Sequence, residues 1–314
     1  MTDRIDSLAN GRVASDAEGV DHTPGALPRR PFRATRFLVE KLYGARGLIL
    51  PALDAIDLVV RRLRGQADFP PLSARQLVSG TFRASVAEFE AVGRAEARSW
   101  EDTMGLLPEH TVLDIGCGCG RVARHLLERL RPPGRYLGAD VDARAIEWCR
   151  QRLAARHPGA LFFHIDAFNS IYSPGSRRPA SDYRFPVPDG SVDRIGLSSV
   201  FTHMLPEDVQ SYLGEIARML APGGCAYAGV FLLAPHRLAG EAGPVVAARF
   251  PFAREGHALT SEKYPDLEVA YDLEAWRGMV ARAGLTLREP VLWGTWTGTE
   301  GYRPLDVALL DKAR

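Results

Sequence analysis

The stretch VLDIGCGCGR, residues Val112 to Arg121, constrains the fold more than any other part of the chain. Four residues suited to a buried strand lead into Gly116, Gly118 and Gly120, which allow the backbone to turn tightly and to lie flat against a ligand. A helix that begins after such a turn offers its positive N-terminus to an anion. The stretch therefore predicts a strand, a ligand-binding turn and a helix, in that order.

The alternation of strand and helix continues beyond this stretch and follows a helical segment at Ala74–Leu106. Strands are predicted at Val112–Ile115, Tyr136–Ala139, Leu161–Ile165, Val192–Leu197 and Cys225–Leu233, and helices at Val122–Leu130, Ala143–Ala155 and Glu207–Leu220. Mostly apolar strands separated by helices are typical of a parallel sheet that is covered on both faces. The sequence therefore predicts a doubly wound α/β domain, which binds its ligand where the strands end.

The two cysteines of the turn do not indicate a metal site. Cys117 and Cys119 lie one residue apart, and no second pair of cysteines or histidines follows at zinc-ligand spacing. We therefore predict no metal, and we interpret the cysteines as small residues that fit a tight turn. The glycines are spaced Gly-x-Gly-x-Gly, which differs from the Gly-x-Gly-x-x-Gly pattern of dinucleotide-binding turns.

Two carboxylates near the turn indicate which ligand it holds. Asp114 lies two residues before the first glycine, where it would repel a pyrophosphate and attract an amino group. Asp140 ends the next predicted strand, where a carboxylate can accept hydrogen bonds from both hydroxyls of a ribose. A ligand with a ribose and an ammonium group but no phosphate matches S-adenosylmethionine.

Composition narrows the class of protein further. The 314 residues include 39 Lys and Arg and 38 Asp and Glu, so the chain lacks the basic excess of a dedicated nucleic-acid binder. Four cysteines in a chain of this length do not resemble a disulfide framework, and no apolar run follows Met1. We expect a reduced, cytoplasmic protein that does not bind nucleic acid.

The first 71 residues differ in character from the rest. Residues 1–30 lack periodic apolar positions and are predicted to be a disordered tail. Residues 31–71 are predicted to be a basic amphipathic helical extension, since residues 29–64 contain nine Lys or Arg against three acids. We favour a helical cap with a solvated basic face over peripheral contact with an anionic membrane surface or a phosphorylated substrate.

From residue 72 to residue 314 the chain resembles the class I S-adenosylmethionine-dependent methyltransferases. Five motifs of that family occur in the expected order: VLDIGCGCGR at 112–121, YLGADVD at 136–142, IDAF at 165–168, FPVPDGSVDRIGLSSVFTHM at 185–204 and LAPGG at 220–224. The resemblance implies a seven-stranded Rossmann-like sheet with an antiparallel strand near its edge, supplied by Asp306–Leu310 after a Thr286–Trp293 strand. Segments at 69–71, 172–175, 200–204 and 294–296 resemble a bacterial subgroup associated with glycans and secondary metabolites.

The resemblance also implies how the methionine end and the ribose of the cofactor are held. Asp114 and the turn Gly116-Cys117-Gly118 would hold the methionine portion. Its carboxylate would lie near Arg121 and the N-terminus of the following helix. Asp140 would bind the ribose. Each carboxylate could instead cap a helix or stabilise a turn, but Asp114, Asp140 and Asp166 all lie at the ends of successive predicted strands, which favours the binding site.

The adenine would be recognised by residues that follow the second and third predicted strands. Val141 would lie against one face of the ring, and Asp166 would accept a hydrogen bond from the exocyclic amine. The backbone of Ala167 or Phe168 would complete the recognition.

One histidine and two long connections are candidates for the acceptor side of the site. His203 follows the fourth predicted strand, where a neutral imidazole could remove a proton from a hydroxyl. The alternative, a histidine that packs against or caps the helix beginning near Pro206, stays open. Residues 169–188 and 234–271 are predicted to be lid insertions that form the substrate pocket.

Three classes of function fit these residues. We favour a methyltransferase that acts on a small-molecule hydroxyl, of a sugar or a secondary metabolite. N- or C-methylation of a natural product or a lipid-linked substrate is an alternative. The second class, a nucleic-acid methyltransferase, is disfavoured because no Asn/Asp-Pro-Pro-Tyr/Phe motif follows the fourth strand. The third class binds the cofactor without turnover or docks to a membrane as a partner protein; the sequence leaves the oligomeric state open.

Overall fold

The structure, a computed structural model, describes residues 52–77, 85–240 and 242–314. The predicted disordered tail and residues 31–51 of the predicted extension lie outside the described residues. The described part of the extension is helical over residues 52–63, here named α1. No described helix is long and apolar enough to cross a membrane.

Five parallel strands form the half of the sheet that carries the glycine-rich turn. They are β1 (Thr111–Ile115), β2 (Arg135–Asp140), β3 (Ala160–His164), β4 (Val192–Leu197) and β5 (Leu220–Leu233). Their order is β3-β2-β1-β4-β5, so the chain reverses direction across the sheet after β3. All five predicted strands are present, within a few residues at each end, and the carboxyl ends of β1 and β4 lie side by side at the reversal.

The antiparallel strand that the resemblance implies is also present. β10 (Asp306–Asp311) lies between β5 and β9 (Thr286–Leu292) and is antiparallel to both. The doubly wound seven-stranded α/β sheet is therefore confirmed. β9 precedes β10 in the chain, and β10 then lies between β9 and β5.

The described sheet has three strands that the sequence did not predict. They are β6 (Phe252–Arg254), β7 (His257–Leu259) and β8 (Val269–Asp272). β8 pairs with the last residues of β5, beyond the point where β10 stops pairing with it, and β7 and β6 follow outward from β8. The connection 234–271, predicted to be a loop, thus contains a strand hairpin and a helix. Segments of three or four residues are too short for their periodicity to be recognised.

The remaining described helices cover both faces of the sheet. They are α2 (Leu72–Leu77), α3 (Val86–Met104), α4 (Ala123–Leu127), α5 (Ala143–Arg152), α6 (Pro206–Met219), α7 (Ala242–Arg249) and α8 (Leu273–Arg282). The described residues of the predicted helical segment Ala74–Leu106 form two helices, because Ser85 caps the start of α3: its Oγ accepts from the Glu88 backbone N–H at 3.1 Å. α4 is shorter than predicted and has five residues.

Alternate residues of the strands pack into two separate cores. Leu113 and Ile115 point into the core that α6 and α8 cover, and Val112 points into the core that α3, α4 and α5 cover. The second core has Trp100 of α3 at its centre, fully buried. It lies so close to β4 that a Cβ at Gly196 would be 1.9 Å from the indole ring.

Gly196→Ala is therefore expected to destabilise the fold by about 2 kcal/mol or more, because the well-packed core has no room for the added methyl group. Gly214→Ala is the matched control, since Gly214 lies exposed within α6 with no atom within 4 Å of an added Cβ. The control should stabilise the protein by roughly 1 kcal/mol through helix propensity. Denaturant unfolding of both variants measures the difference, and equal stabilities would contradict the packing described here.

Candidate active site

The glycine-rich turn has the backbone that its sequence predicts. Gly116, Gly118 and Gly120 have φ angles of 79°, 52° and 78°, in the left-handed region that favours glycine. A Cβ at Gly116 would lie 2.5 Å from Cγ2 of Val200. The backbone N–H groups of Gly116 and Cys117 both donate to the carbonyl of Ala139, at 2.7 and 3.1 Å, and so fasten the turn to the end of β2.

Asp140 joins this turn to the next loop. One carboxylate oxygen accepts from the backbone N–H of Gly118 at 2.7 Å and the other from that of Asp142 at 2.8 Å. Burial raises the pKa of Asp140 to about 6, although both hydrogen bonds oppose the shift. Each carboxylate oxygen can accept a further hydrogen bond, so the side chain keeps the capacity to bind two hydroxyl groups.

Asp114 lies beneath the turn, on the side of the sheet that α3 covers. Its side chain is buried and accepts a hydrogen bond from the hydroxyl of Tyr136. Burial raises the pKa of Asp114 to about 7, and the nearby carboxylates of Asp140 and Glu96 raise it further, whereas the hydrogen bond from Tyr136 lowers it. A cation that reached this carboxylate would offset part of the free-energy cost of burying its negative charge.

Arg121 is close to this buried carboxylate and carries an orphaned donor. Its Nε is buried and has no hydrogen-bond partner among the described residues. Burial lowers the pKa of Arg121, and the carboxylate of Glu96 opposes that shift. A buried donor without an acceptor costs free energy, which an anionic ligand at this position would recover.

Three further residues at this end of the site escaped prediction. The carboxylate of Glu96 in α3 accepts from Ser198 Oγ at 2.7 Å, and its second oxygen pairs with Arg303. One signal for Glu96 is present in the sequence, since it falls on the buried face of α3 between Gly93 and Ala97. Ser198 and Arg303 gave no such signal, because only the fold brings them to α3.

The residues predicted to recognise adenine occupy the loop after β3. Asp166 and Phe168 are exposed, and Ala167 is buried. The backbone N–H of Ala167 already donates to Ile165 at 3.0 Å and that of Phe168 to Arg178 at 2.7 Å. In this arrangement only their carbonyl groups remain for a ligand. Val141 is partly buried against the core that α6 covers.

His203 lies under both long connections. Its Nδ1 is 2.6 Å from the carbonyl oxygen of Leu267, so Nδ1 carries the proton and Nε2 is a hydrogen-bond acceptor. Nε2 faces the hydroxyl of Tyr172 at 3.4 Å. Burial lowers the pKa of His203, and the Glu268 carboxylate opposes that shift. The lowered pKa keeps the imidazole neutral near pH 7.

The two connections contact each other at the same place. Ser170 in the first donates through its backbone N–H to Asp266 in the second, at 2.6 Å, and through its hydroxyl to the other carboxylate oxygen. Asn169 Nδ2 donates to the carbonyl of His203 at 3.0 Å. The groups that contact His203 therefore come from both predicted lids. Among the described residues, no group of three or more His, Cys, Asp or Glu is arranged to hold a metal ion.

Asp114→Asn is expected to change how stability depends on pH. The pKa of Asp114 in the folded state is about 7, against 3.8 ordinarily, so the folded state binds the proton more tightly than the unfolded chain. The free energy of unfolding should therefore decrease as pH rises through this window. In the asparagine variant, whose amide oxygen can still accept from Tyr136, that decrease should be smaller by about 1 kcal/mol or more. Urea unfolding between pH 4 and pH 8 measures it, and identical slopes in both proteins would contradict the burial of an ionisable Asp114.

Comparison with known proteins adds a second line of evidence. Residues 112–224, which span β1 to the start of β5, match the family described as "Methyltransferase domain". A tRNA N(3)-cytidine methyltransferase of Gallus gallus is 26% identical over 192 residues, which are 59% of this chain and 48% of that protein. A demethylmenaquinone methyltransferase of Thermus thermophilus is 29% identical over 189 residues, 58% of this chain and 76% of that protein.

The chain spans less than half the length of the tRNA-modifying relatives that it matches. Among solved structures, a Burkholderia thailandensis 1,6-didemethyltoxoflavin-N1-methyltransferase with bound S-adenosylhomocysteine is 16% identical. The match covers 91% of each chain, with a TM-score of 0.47. The fold of this chain is established by its own strand order.

Proposed function

The chain contains a class I S-adenosylmethionine-dependent methyltransferase domain, and from this premise we propose that it transfers the methyl group of S-adenosylmethionine to a hydroxyl oxygen of a small molecule, leaving S-adenosylhomocysteine. The observation that carries the proposal is Asp140, held by Gly118 and Asp142 at the end of β2 with capacity for two more donors. Ribose hydroxyls are donors of that kind.

The residues at the methionine end fit the charges of an amino acid. The orphaned Nε of Arg121 suits the carboxylate, and the buried carboxylate of Asp114 suits the ammonium group. Gly116, Cys117 and Gly118 provide a backbone without bulky side chains, and the clash that a Cβ at Gly116 would make with Val200 explains the first glycine. At the other end, Val141, Asp166, Ala167 and Phe168 are the proposed adenine-binding residues.

When bound, S-adenosylmethionine supplies an activated methyl group on a positively charged sulfur. The protein has to align the acceptor with that methyl group and to exclude water. We assign the second task to the two connections that meet over His203, since Ser170 and Asp266 hold them together. A hydroxyl acceptor must also lose a proton, and Nε2 of neutral His203 is the proposed base, because the Leu267 carbonyl fixes its proton on Nδ1.

The acceptor proposed is a sugar or secondary-metabolite hydroxyl. The lids support a small acceptor, since residues of both close over His203. A base is needed for a hydroxyl and is dispensable for an unprotonated amine, so His203 favours O-methylation over the N-methylation alternative.

The similarity to tRNA N(3)-cytidine methyltransferases favours a second candidate, methyl transfer to a tRNA base. Incubation with methyl-tritiated S-adenosylmethionine and either bulk tRNA or a panel of sugars and phenols separates the two. Label in the small-molecule panel and none in tRNA supports the proposal. Label in tRNA would replace the acceptor and leave the cofactor assignment intact, whereas cofactor binding without transfer to any acceptor would favour a binding protein.

Asp140→Ala is expected to weaken the binding of S-adenosylhomocysteine by on the order of 1–3 kcal/mol, through the lost hydrogen bonds to ribose. Asp193→Asn is the matched control, because Asp193 accepts from the Thr111 backbone N–H at 2.8 Å, at the amino end of β1 and away from the strand ends that carry Asp140. Its affinity should equal that of the unchanged protein. Isothermal titration calorimetry measures both, and an unchanged affinity for Asp140→Ala would remove the ribose assignment.

His203→Ala is expected to lower kcat by about a hundredfold or more while leaving the affinity for S-adenosylhomocysteine unchanged. Because burial lowers the pKa of His203, kcat should decline at a lower pH than it would with an ordinary histidine, since the imidazole takes up a proton only there. Near-normal turnover in the alanine variant would favour the packing role of His203 over the role of base.

A further inference from the structure

Helix α1 turns an apolar face away from the rest of the described structure. Leu53, Ile56, Val59, Val60 and Leu63 all lie on this face, and Ile56 and Leu63 are 63% and 83% exposed. Their spacing from Ile56 is i, i+3, i+4 and i+7, which places them in one stripe along the helix. No described residue covers the stripe, so it presents exposed apolar surface of the kind that marks an interaction site.

The opposite face of α1 is fastened to the domain by buried ion pairs. Arg61 is 5% exposed and donates to the Asp57 carboxylate and to the carbonyl of Phe69, both at 2.6 Å. Asp57 also pairs with Arg75 of α2 at 2.5 Å, and Asp54 accepts from the Ser73 backbone N–H at 2.8 Å. The outward direction of the apolar stripe is therefore set by specific contacts and is not the result of a loosely attached helix.

This arrangement removes every acidic side chain of α1 from its outer surface. Asp54 and Asp57 are the only acids in residues 52–64, and both bond toward the domain. The charged side chains left outside are those of Arg62 and Arg64. The outer surface of α1 is consequently apolar and cationic, and the sequence before it adds six more Lys or Arg and one acid between residues 29 and 51.

We propose that the outer face of α1 docks onto an anionic lipid bilayer, with Ile56, Val59, Val60 and Leu63 entering the interface and Arg62 and Arg64 contacting the lipid headgroups. A helix with this division of apolar and cationic residues lies in the plane of a membrane interface. Each arginine near an anionic surface adds about 1 kcal/mol of attraction. A second copy of the chain is a poorer occupant, since it would bring the same arginines into contact.

The attachment of α1 to the domain lies close to the glycine-rich turn. The segment that holds α1 also contacts the turn and the helix after it: the Cys119 thiol donates to the carbonyl of Ala74 at 3.7 Å, and the Arg124 guanidinium lies 4.2 Å from the ring centre of Phe69. The proposal does not depend on the identity of the methyl acceptor, and vesicle binding tests it without turnover.

The experiment is flotation of the protein with two kinds of vesicle. One is made of phosphatidylcholine alone, and the other also contains roughly 30% phosphatidylglycerol, which gives it the negative charge of an anionic membrane. The unchanged protein should float with the anionic vesicles and much less with the neutral ones. Ile56→Glu with Leu63→Glu should reduce binding to anionic vesicles by about tenfold or more, because both changes place a carboxylate in the interface. Leu107→Glu is the matched control, since Leu107 lies outside α1 and is 53% exposed. This variant should bind anionic vesicles as well as the unchanged protein does.

A second variant tests the charges separately and adds no carboxylate. Arg62→Gln with Arg64→Gln should weaken anionic binding by on the order of thirtyfold, and added salt should weaken the unchanged protein more than this variant. Thermal unfolding and binding of S-adenosylhomocysteine verify that each variant is folded.

Several outcomes would overturn the proposal. These are no flotation of the unchanged protein, equal flotation with neutral vesicles, or full binding by the Ile56→Glu and Leu63→Glu variant. A dimer in size-exclusion chromatography that this same variant dissociates would assign the face to a second copy.

Discussion

The attachment of the glycine-rich turn to the end of β2 is the interaction on which the rest of the site depends. Gly116 and Cys117 donate to the carbonyl of Ala139, and Gly118 donates to the carboxylate of Asp140. The parallel register pairs Ile115 with Ala139, which brings the two strand ends level. Because the same carboxylate fastens the turn and faces the proposed ribose site, the shape of the turn and the recognition of the ligand are physically coupled.

The buried charges beneath the turn have an energetic meaning of their own. Asp114, Glu96, Arg121 and Arg303 lie on the side of the sheet covered by α3, where an isolated charge is costly to bury. Glu96 and Arg303 offset each other. Among the described residues, Asp114 accepts a hydrogen bond from the Tyr136 hydroxyl, and Nε of Arg121 has no hydrogen-bond partner. A zwitterionic amino-acid group would offer a partner to both, which supports the proposed methionine site.

The acceptor side of the site is organised differently, by contacts between the two insertions. Ser170 bonds to Asp266, and His203 lies between Tyr172 and the Leu267 carbonyl. The second insertion is held in place by β8, which pairs with the end of β5. An extension of the sheet thus positions the carbonyl that selects the histidine tautomer, which links the unpredicted strands to the proposed chemistry.

Local patterns in the sequence were sufficient for the alternating strands, the glycines with positive φ and the placement of Asp140 at a strand end. Each of these depends on a periodicity or a turn within a few residues. Tertiary structure alone decided the partner of Asp114 and the approach of Arg303 to Glu96. It also decided the attachment of β8, with β7 and β6 beyond it, to β5, and the inward direction of Asp54 and Asp57. The physical reason is separation along the chain: Glu96 and Arg303 are 207 residues apart, and no local preference of either residue specifies a contact that only the folded sheet creates.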